Sequence, residues 1–210
     1  LEGPHMVMAH RRDRACLVLG GAANVWADLE AALDLGEYSS VVSCNDVTAA
    51  YPGRIDACVS LHCAQWPAWL DERERRGFER PLTVFGHNEA RGGLRTDRVD
   101  VFTEYRFPGQ DRSGSSGLFA LKVALVDLGY DRAVLCGVPM TAKQRHFFDA
   151  KDWAGASAHT AGWHQALPQI RDRARSMSGW TAELLGTPSE DWLSGAAVGG
   201  PLARELNAPG

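Results

Sequence analysis

One stretch decides the fold: Ser113-Gly-Ser-Ser-Gly-Leu-Phe-Ala-Leu-Lys-Val-Ala-Leu-Val-Asp-Leu-Gly129, which runs directly into Tyr130-Asp-Arg-Ala-Val-Leu-Cys-Gly-Val-Pro139. Its pattern predicts a polar loop, a buried helix, a turn, a buried strand and a second glycine turn. We expect Ser115 or Ser116 to cap the helix and Gly129 to end it in a left-handed conformation. Because only two residues between these caps are charged, most of the helix surface must be covered by protein.

The loop at the start of this helix has the composition of an anion site. Unpaired backbone N–H groups and the positive end of the helix dipole point out of a helix N-terminus, and small side chains leave them accessible. The alternative is that Ser115, Ser116 and Gly117 only begin a core helix. This stretch by itself does not decide between the two interpretations.

A second glycine turn lies near the start of the chain. The apolar run Ala15–Leu19 is typical of a strand buried on both faces. It is followed by Gly20, Gly21 and two alanines, and Asn24 is predicted to cap the next helix. Strand, glycine turn and helix form the first unit of a parallel sheet, with room for a phosphate at its carboxyl end. The later glycines of the Gly-x-Gly-x-x-Gly pattern are missing, so the dinucleotide signature is weak.

Further apolar runs predict more strands, and polar residues follow several of them. The predicted strands cover residues 40–44, 57–61, 81–85, 99–105 (as an edge strand) and 133–136. Asn45 and Asp46 follow the first of these, where an acidic or amide side chain commonly meets a ribose hydroxyl or simply forms a turn. His62 follows the second strand and Gly137 the last.

Alternating strands and helices predict a single α/β domain, with a mostly parallel twisted sheet and helices on both faces, as in Rossmann-like folds. The loops that follow the strands should gather at the carboxyl edge of the sheet, where such folds bind ligands. Residues 140–162 show no clean period and are expected to cover the site or to be mobile. We further predict a helix over 164–178, in which Pro168 marks a first turn, and a last strand over 180–185.

Composition sets the outer limits. Of the 210 residues, 45% are hydrophobic and 23% charged, and the net charge is −4, which fits a soluble globular protein with no general affinity for nucleic acid. No apolar run approaches the roughly 18 residues of a membrane span. Four of the five cysteines lie in or at the end of apolar runs, so a reducing, cytoplasmic compartment is expected. Residues 1–6 look like a cloning remnant, 7–193 form the domain, and 194–210 are a loosely ordered tail.

The order of these segments resembles the small bacterial sialyltransferases that use CMP-sialic acid, and the related domain of flagellin-modifying motility-accessory proteins. Those families share a Gly-Asn-Gly-Pro-Ser-Leu turn after the first strand, a Cys-Asn end to the second, and a Thr-Ser-Gly loop before an apolar helix. A Leu-Gly-Tyr turn, a Gly-Ile-Asp turn and a closing Cys-Pro-x-Ser follow. The similar segments here are 19–25, 44–45, 115–117, 128–130, 137–139 and 185–189.

The resemblance implies a metal-independent glycosyltransferase whose donor substrate is a CMP-activated acidic sugar, with no separate cofactor. It implies that Ser115, Ser116 and Gly117 hold the sugar carboxylate. A histidine would act as general base on the acceptor, His164 or else His159. The remaining predicted donor-binding residues are Gly20, Gly21, Asn24, Asn45, Asp46, His62 and Gly137. No Asp-x-Asp occurs in the chain, which argues against a metal-bridged nucleotide diphosphate sugar.

The chain also departs from the family pattern. Gly21 stands where the family has Asn, Asn24 where it has Ser, and Pro139 where it has Asp. The tyrosines that meet the leaving phosphate have no counterpart just after Gly137. Three residues could replace them as cations or could lie on the surface: Lys143, Arg145 and His146.

Two other functions therefore stay open. One is a nucleotide-binding module of the same fold that does not catalyse, or that hydrolyses rather than transfers. The other is a Rossmann-type oxidoreductase or methyltransferase that places Asp46 on a ribose, although the broken glycine pattern argues against it. The acceptor and any homo-oligomer are not readable from the sequence.

Overall fold

The computed structural model describes residues 14–90, 97–142, 144–149 and 152–195. Its strands are β1 Ala15–Leu19, β2 Ser40–Cys44, β3 Ala57–Val59, β4 Thr83–His87, β5 Val101–Thr103, β6 Arg132–Cys136, β7 Gln144–Arg145, β8 Asp152–Trp153 and β9 Ala174–Ser176. Its helices are α1 Val25–Leu35, α2 Val47–Ala50, α3 Trp66–Arg75, α4 Ser115–Lys122, α5 Ala156–Ile170, α6 Gly179–Leu185 and α7 Glu190–Ser194. The predicted cloning remnant, most of the predicted tail and Lys143 lie outside the described residues.

Seven strands form one parallel sheet in the order β5-β4-β3-β2-β1-β6-β9. Cys16 and Val18 of β1 face a core built with α4 and α5, whereas Leu17 and Leu19 face the opposite core, built with α1. A third, smaller cluster of buried apolar residues packs α3 against that opposite face of the sheet. The predicted α/β class, with helices on both faces of the sheet, is therefore confirmed, as is the edge position of β5.

The strand order reverses between β1 and β6, and the glycine turns after these two strands meet there. The N–H of Gly20 donates to the carbonyl of Cys136 at 2.8 Å, and Ala22 N–H donates to the carbonyl of Gly137 at 3.1 Å. A Cβ at position 20 would lie 2.4 Å from the Gly137 carbonyl oxygen. Only glycine fits at position 20, because any side chain would push the two turns apart. The reversal of strand order between β1 and β6 thus leaves a crevice at the carboxyl edge of the sheet.

The central helix begins differently from the prediction. α4 starts at Ser115 after Gly114, and no side chain caps it, so neither Ser115 nor Ser116 is the cap. Ser115 instead adopts a left-handed backbone, with φ at 83°. The helix continues through a π-helical turn over Val123–Asp127. Gly129 has φ at 67° and follows this turn, as predicted.

The last third of the chain corrects two predictions. The predicted helix over 164–178 is wrong: α5 spans Ala156–Ile170 and contains Pro168 in its last turn. Proline removes the N–H that would bond the carbonyl four residues earlier. That carbonyl belongs to His164, a residue that is exposed.

The predicted strand over 180–185 is also wrong, since these residues lie in α6. Thr181 and Leu185, four residues apart, are its buried positions, which is helical spacing. The final strand is β9, where Ala174 and Ser176 are buried on either side of Arg175. Within the described residues, no helix is both long and apolar enough to cross a membrane.

Candidate functional site

A cavity of about 450 Å³ opens at the carboxyl edge of the sheet, where the strand order reverses. It is lined by Gly20, Gly21, Ala22, Cys44, Asn45, Asp46, Leu61, His62, Trp69, Ser115, Ser116, Gly117, Gly137, Val138, Met140, Gln144, His146, Phe148, Trp153 and His159. The loops after β1, β2, β3 and β6 therefore converge with the start of α4 and with α5. Its volume lies in the range of small-molecule sites.

Most residues singled out in the sequence line this cavity, but Asn24 and His164 do not. The Asn24 amide donates to the Asp28 carboxylate at 3.0 Å and to the Ser178 hydroxyl. Asp28 also accepts from the Gly137 N–H at 2.9 Å and from Ser178 at 2.7 Å. Asn24 thus belongs to a buried polar network behind the glycine turns and not to the cavity wall.

The two candidate histidines of α5 point in different directions. His159 lines the cavity, and its ring stacks on Trp153 at 6.0 Å with an interplanar angle of 11°. His164 is exposed and contacts Trp180 edge-on. Five residues advance a helix by about 140°, so the two histidines cannot share a face. His159 lies four residues before the buried Trp163, a spacing that the sequence contained.

Three non-glycine residues in the described chain have a positive φ, and all three line the cavity. The φ angles are 58° at Asn45, 83° at Ser115 and 50° at Met140. Left-handed backbone is disfavoured for residues with a Cβ and tends to occur at functional sites. The loops around this cavity therefore hold backbone conformations that the surrounding fold must stabilise.

Ser60, which sequence reasoning did not identify, fixes one side of the site. Its hydroxyl donates to the Asn45 side-chain carbonyl at 2.7 Å and accepts from the His62 N–H at 2.8 Å. Next to it, the Ser116 hydroxyl accepts from the Leu61 N–H at 3.2 Å. These bonds fix the ends of β2 and β3 relative to the start of α4.

The predicted irregular segment contains a short hairpin, β7 and β8, that attaches to the first glycine turn. The Ala23 N–H donates to the Arg145 carbonyl at 2.7 Å, and Phe147 N–H donates to the Gly21 carbonyl at 3.1 Å. His146 is thereby held opposite Ala22 in an isolated antiparallel bridge. The segment was expected to cover the site or to be mobile. It contributes Gln144, His146 and Phe148 to the lining of the cavity.

Asp46 and His146 both lie beside Gly21 and interact electrostatically. A Cβ at position 21 would lie 3.1 Å from both Asp46 Oδ1 and His146 Nδ1. Burial raises the pKa of Asp46 above its ordinary value, while His146 and the N–H groups of Asp46 and Val47 act in the opposite direction. Asp46 Oδ1, His146 Nδ1 and His159 Nδ1 are buried atoms without a hydrogen-bond partner in the described structure.

Aromatic side chains form the outer wall of the cavity. Trp69, Phe148 and Trp153 all line it, and Phe148 is 61% exposed. Phe148 also contacts the rings of His146 and Phe147. Phe148 and Trp153 belong to the segment 140–162, for which covering the site was one of the two expectations. Trp69 was not predicted, because nothing in the local pattern shows that α3 reaches this edge.

A cysteine thiol lies at the cavity wall. Cys44 lines the cavity, but burial and the neighbouring Asp46 raise the pKa of its thiol to about 12. Since the thiolate is the nucleophile, such a thiol is inert at neutral pH. No group of three or more His, Cys, Asp or Glu side chains that could hold a metal ion occurs in the parts of the chain that the structure describes.

No protein-family model matches this sequence, and no curated protein matches it. Among solved structures, the chain is similar to the sialyltransferase CST-II, in a single-site variant in complex with CMP. The TM-score is 0.56 at 14% sequence identity, and the similarity covers 84% of this chain and 87% of that chain. At this identity the likeness shows a shared fold, which is the fold that the sequence resemblance implied.

Proposed function

We propose that the cavity binds a CMP-activated acidic sugar and that the protein transfers this sugar to a hydroxyl group, with His159 as general base. One observation carries the proposal: two glycine turns, the uncapped start of α4 and an imidazole from α5 meet at one cavity. The shared fold with a CMP-bound sialyltransferase supports the choice of nucleotide.

The donor's two acidic groups would bind at different loops. The glycine turns after β1 and β6 let the backbone approach a phosphate closely, because no Cβ intervenes. The sugar carboxylate would bind at the start of α4, where Ser115, Ser116 and Gly117 line the cavity. The N–H groups of this first turn and the helix dipole favour an anion there.

The proposed reaction exchanges one C–O bond for another. The acceptor oxygen attacks the anomeric carbon, and the bond from that carbon to the phosphate oxygen breaks with its electron pair going to CMP. The acceptor proton goes to the imidazole of His159, and histidine is the side chain that most often serves as a general base. A monophosphate leaving group needs less neutralisation than a diphosphate, so hydrogen-bond donors can stabilise it.

The nucleotide is tested by isothermal titration with CMP, UMP, ADP, NAD and S-adenosylmethionine. We expect CMP to bind alone or most tightly. Tighter binding of NAD or S-adenosylmethionine would instead favour the oxidoreductase or methyltransferase alternative and would overturn the donor assignment.

The base is tested by the release of CMP from CMP-sialic acid with water as acceptor. His159→Ala should slow release about 100-fold or more. His164→Ala, which removes the same side chain from the exposed face of α5, should change the rate less than about twofold. If CMP binds but His159→Ala leaves release unchanged, the assignment of the base is wrong. If the wild type binds CMP but releases none from CMP-sialic acid with any acceptor, the proposed transferase gives way to a binding module.

A further inference from the structure

We propose that Asp46 and His146 together bind one hydroxyl group of the nucleotide's ribose, over Gly21, and so make the protein selective for ribonucleotides. This inference rests on the proposed function, because it requires a nucleotide in the cavity. It adds a specificity determinant, His146, that the short hairpin supplies.

The geometry behind it is a pair of unsatisfied atoms beside one glycine, Gly21. Asp46 Oδ1 and His146 Nδ1 are both buried and both lack a hydrogen-bond partner. A Cβ atom at position 21 would lie 3.1 Å from each of the two atoms. A buried polar atom without a partner reduces stability, so two such atoms beside one cavity-lining glycine indicate that a ligand group completes them.

The chemistry of the pair selects the group. A carboxylate oxygen accepts hydrogen bonds, and an imidazole nitrogen donates when it carries a proton. A hydroxyl satisfies both, since it donates to Asp46 Oδ1 while its oxygen accepts from His146 Nδ1–H. A phosphate or carboxylate oxygen would be repelled by Asp46, and an ammonium group has nothing with which to accept from His146.

The position of the pair favours the ribose over the other hydroxyl-bearing parts of a nucleotide sugar. Asp46 follows β2, and Gly21 follows β1, the strand beside it in the sheet. In doubly wound folds an acidic residue at this place reaches a ribose hydroxyl when the phosphate lies at the first glycine turn.

His146 is fixed for this role before any ligand binds. The backbone on both sides of it is hydrogen-bonded to the glycine turn, through Arg145 and Phe147. Its ring also contacts that of Phe148, with centroids 5.1 Å apart. A donor held in place in advance loses little conformational entropy on binding, which makes discrimination by a single hydroxyl effective.

The experiment compares the affinities of CMP, 2′-deoxy-CMP and 3′-deoxy-CMP by isothermal titration. In the wild type, one deoxy analogue should bind about 10-fold or more weakly than CMP, because it leaves both atoms unpaired. Asp46→Asn, which keeps the shape of the side chain, and His146→Ala should each reduce this ratio to less than about threefold.

Two matched variants serve as controls. His87 also has an unpartnered buried Nδ1 but does not line the cavity, and Asp34 is an exposed carboxylate on α1. His87→Ala and Asp34→Asn should keep the full wild-type discrimination.

The results separate this inference from the function on which it rests. If CMP and both deoxy analogues bind equally well, or if Asp46→Asn and His146→Ala keep the discrimination, the ribose assignment is overturned and the CMP site stands. If CMP does not bind at all, both proposals fail together.

Discussion

Two regions of this molecule bury polar side chains and treat them in opposite ways. Beneath α3, Arg73 is 1% exposed, and its guanidinium donates to four backbone carbonyls, those of Thr48, Tyr51, Gly53 and Glu79. At the cavity, by contrast, Asp46 Oδ1, His146 Nδ1 and His159 Nδ1 have no partner within the described chain.

The comparison distinguishes buried polar groups that stabilise the fold, around Arg73, from buried polar groups that are available to a ligand, at the cavity. Around Arg73 the fold satisfies every nitrogen of a buried charge, and this closes the loops after α2 and α3 onto each other. Unsatisfied buried atoms reduce stability, and where several of them line one cavity a ligand can supply the missing partners. Substitutions in the two regions should therefore have opposite consequences.

The largest expected effect is at Arg73. Arg73→Leu leaves several carbonyls without a donor and should lower the free energy of unfolding by about 3 kcal/mol or more. Arg76→Leu, at the residue directly after this helix, removes an exposed side chain that pairs with Glu72, and should cost less than about 1 kcal/mol. Urea unfolding of both variants measures the difference. Equal losses would show that the carbonyl network around Arg73 contributes little.

An intermediate effect is expected at Asp28, whose Oδ2 accepts three hydrogen bonds, one of them from a turn of the cavity. Asp28→Ala deprives the Gly137 N–H, Ser178 and Asn24 of their shared acceptor. The free energy of unfolding should fall by about 2 kcal/mol, and CMP affinity should fall as well because the Gly137 turn loosens. Thermal melts and titration at a temperature where the variant is folded measure the two effects. Unchanged CMP affinity would mean that Asp28 supports the fold alone.

The smallest effect, and the one of opposite sign, is expected at Asp46. Burial raises the pKa of this carboxyl in the folded state, so ionising it destabilises the fold as pH rises through that range. Asp46→Asn should therefore stabilise the protein at pH 7, by about 1 kcal/mol. The gain should vanish below the ordinary pKa of 3.8, where both side chains are neutral. Unfolding curves between pH 3 and pH 7 test this, and a destabilised variant at pH 7 would contradict it.

The first two-thirds of the fold could be predicted from local patterns. β1 and residues 133–136 of β6 are buried on both faces and therefore form continuous apolar runs, whereas two serines interrupt the apolar residues of β2. β4 begins two residues later than predicted, and β3 is shorter. α5 was misplaced because alanine, glycine and serine dominate its first turns, and such residues carry little helical periodicity.

The candidate site divides in the same way. Glycine turns and short polar residues at strand ends can be assigned to the site from the sequence, because parallel strands bring their carboxyl ends to one edge of the sheet. Trp69 and Trp153 gave no such signal, since their place depends on how α3 and a hairpin pack over that edge. The choice between His159 and His164 depended on where α5 begins.

By itself the sequence determined the parallel sheet, its glycine turns and the edge at which they meet, since these follow from burial, backbone freedom and strand direction. Tertiary structure alone decided which histidine enters the cavity, and that His146 joins Asp46 beside Gly21. Those outcomes depend on packing between segments about a hundred residues apart in the chain, whose mutual orientation no local pattern contains.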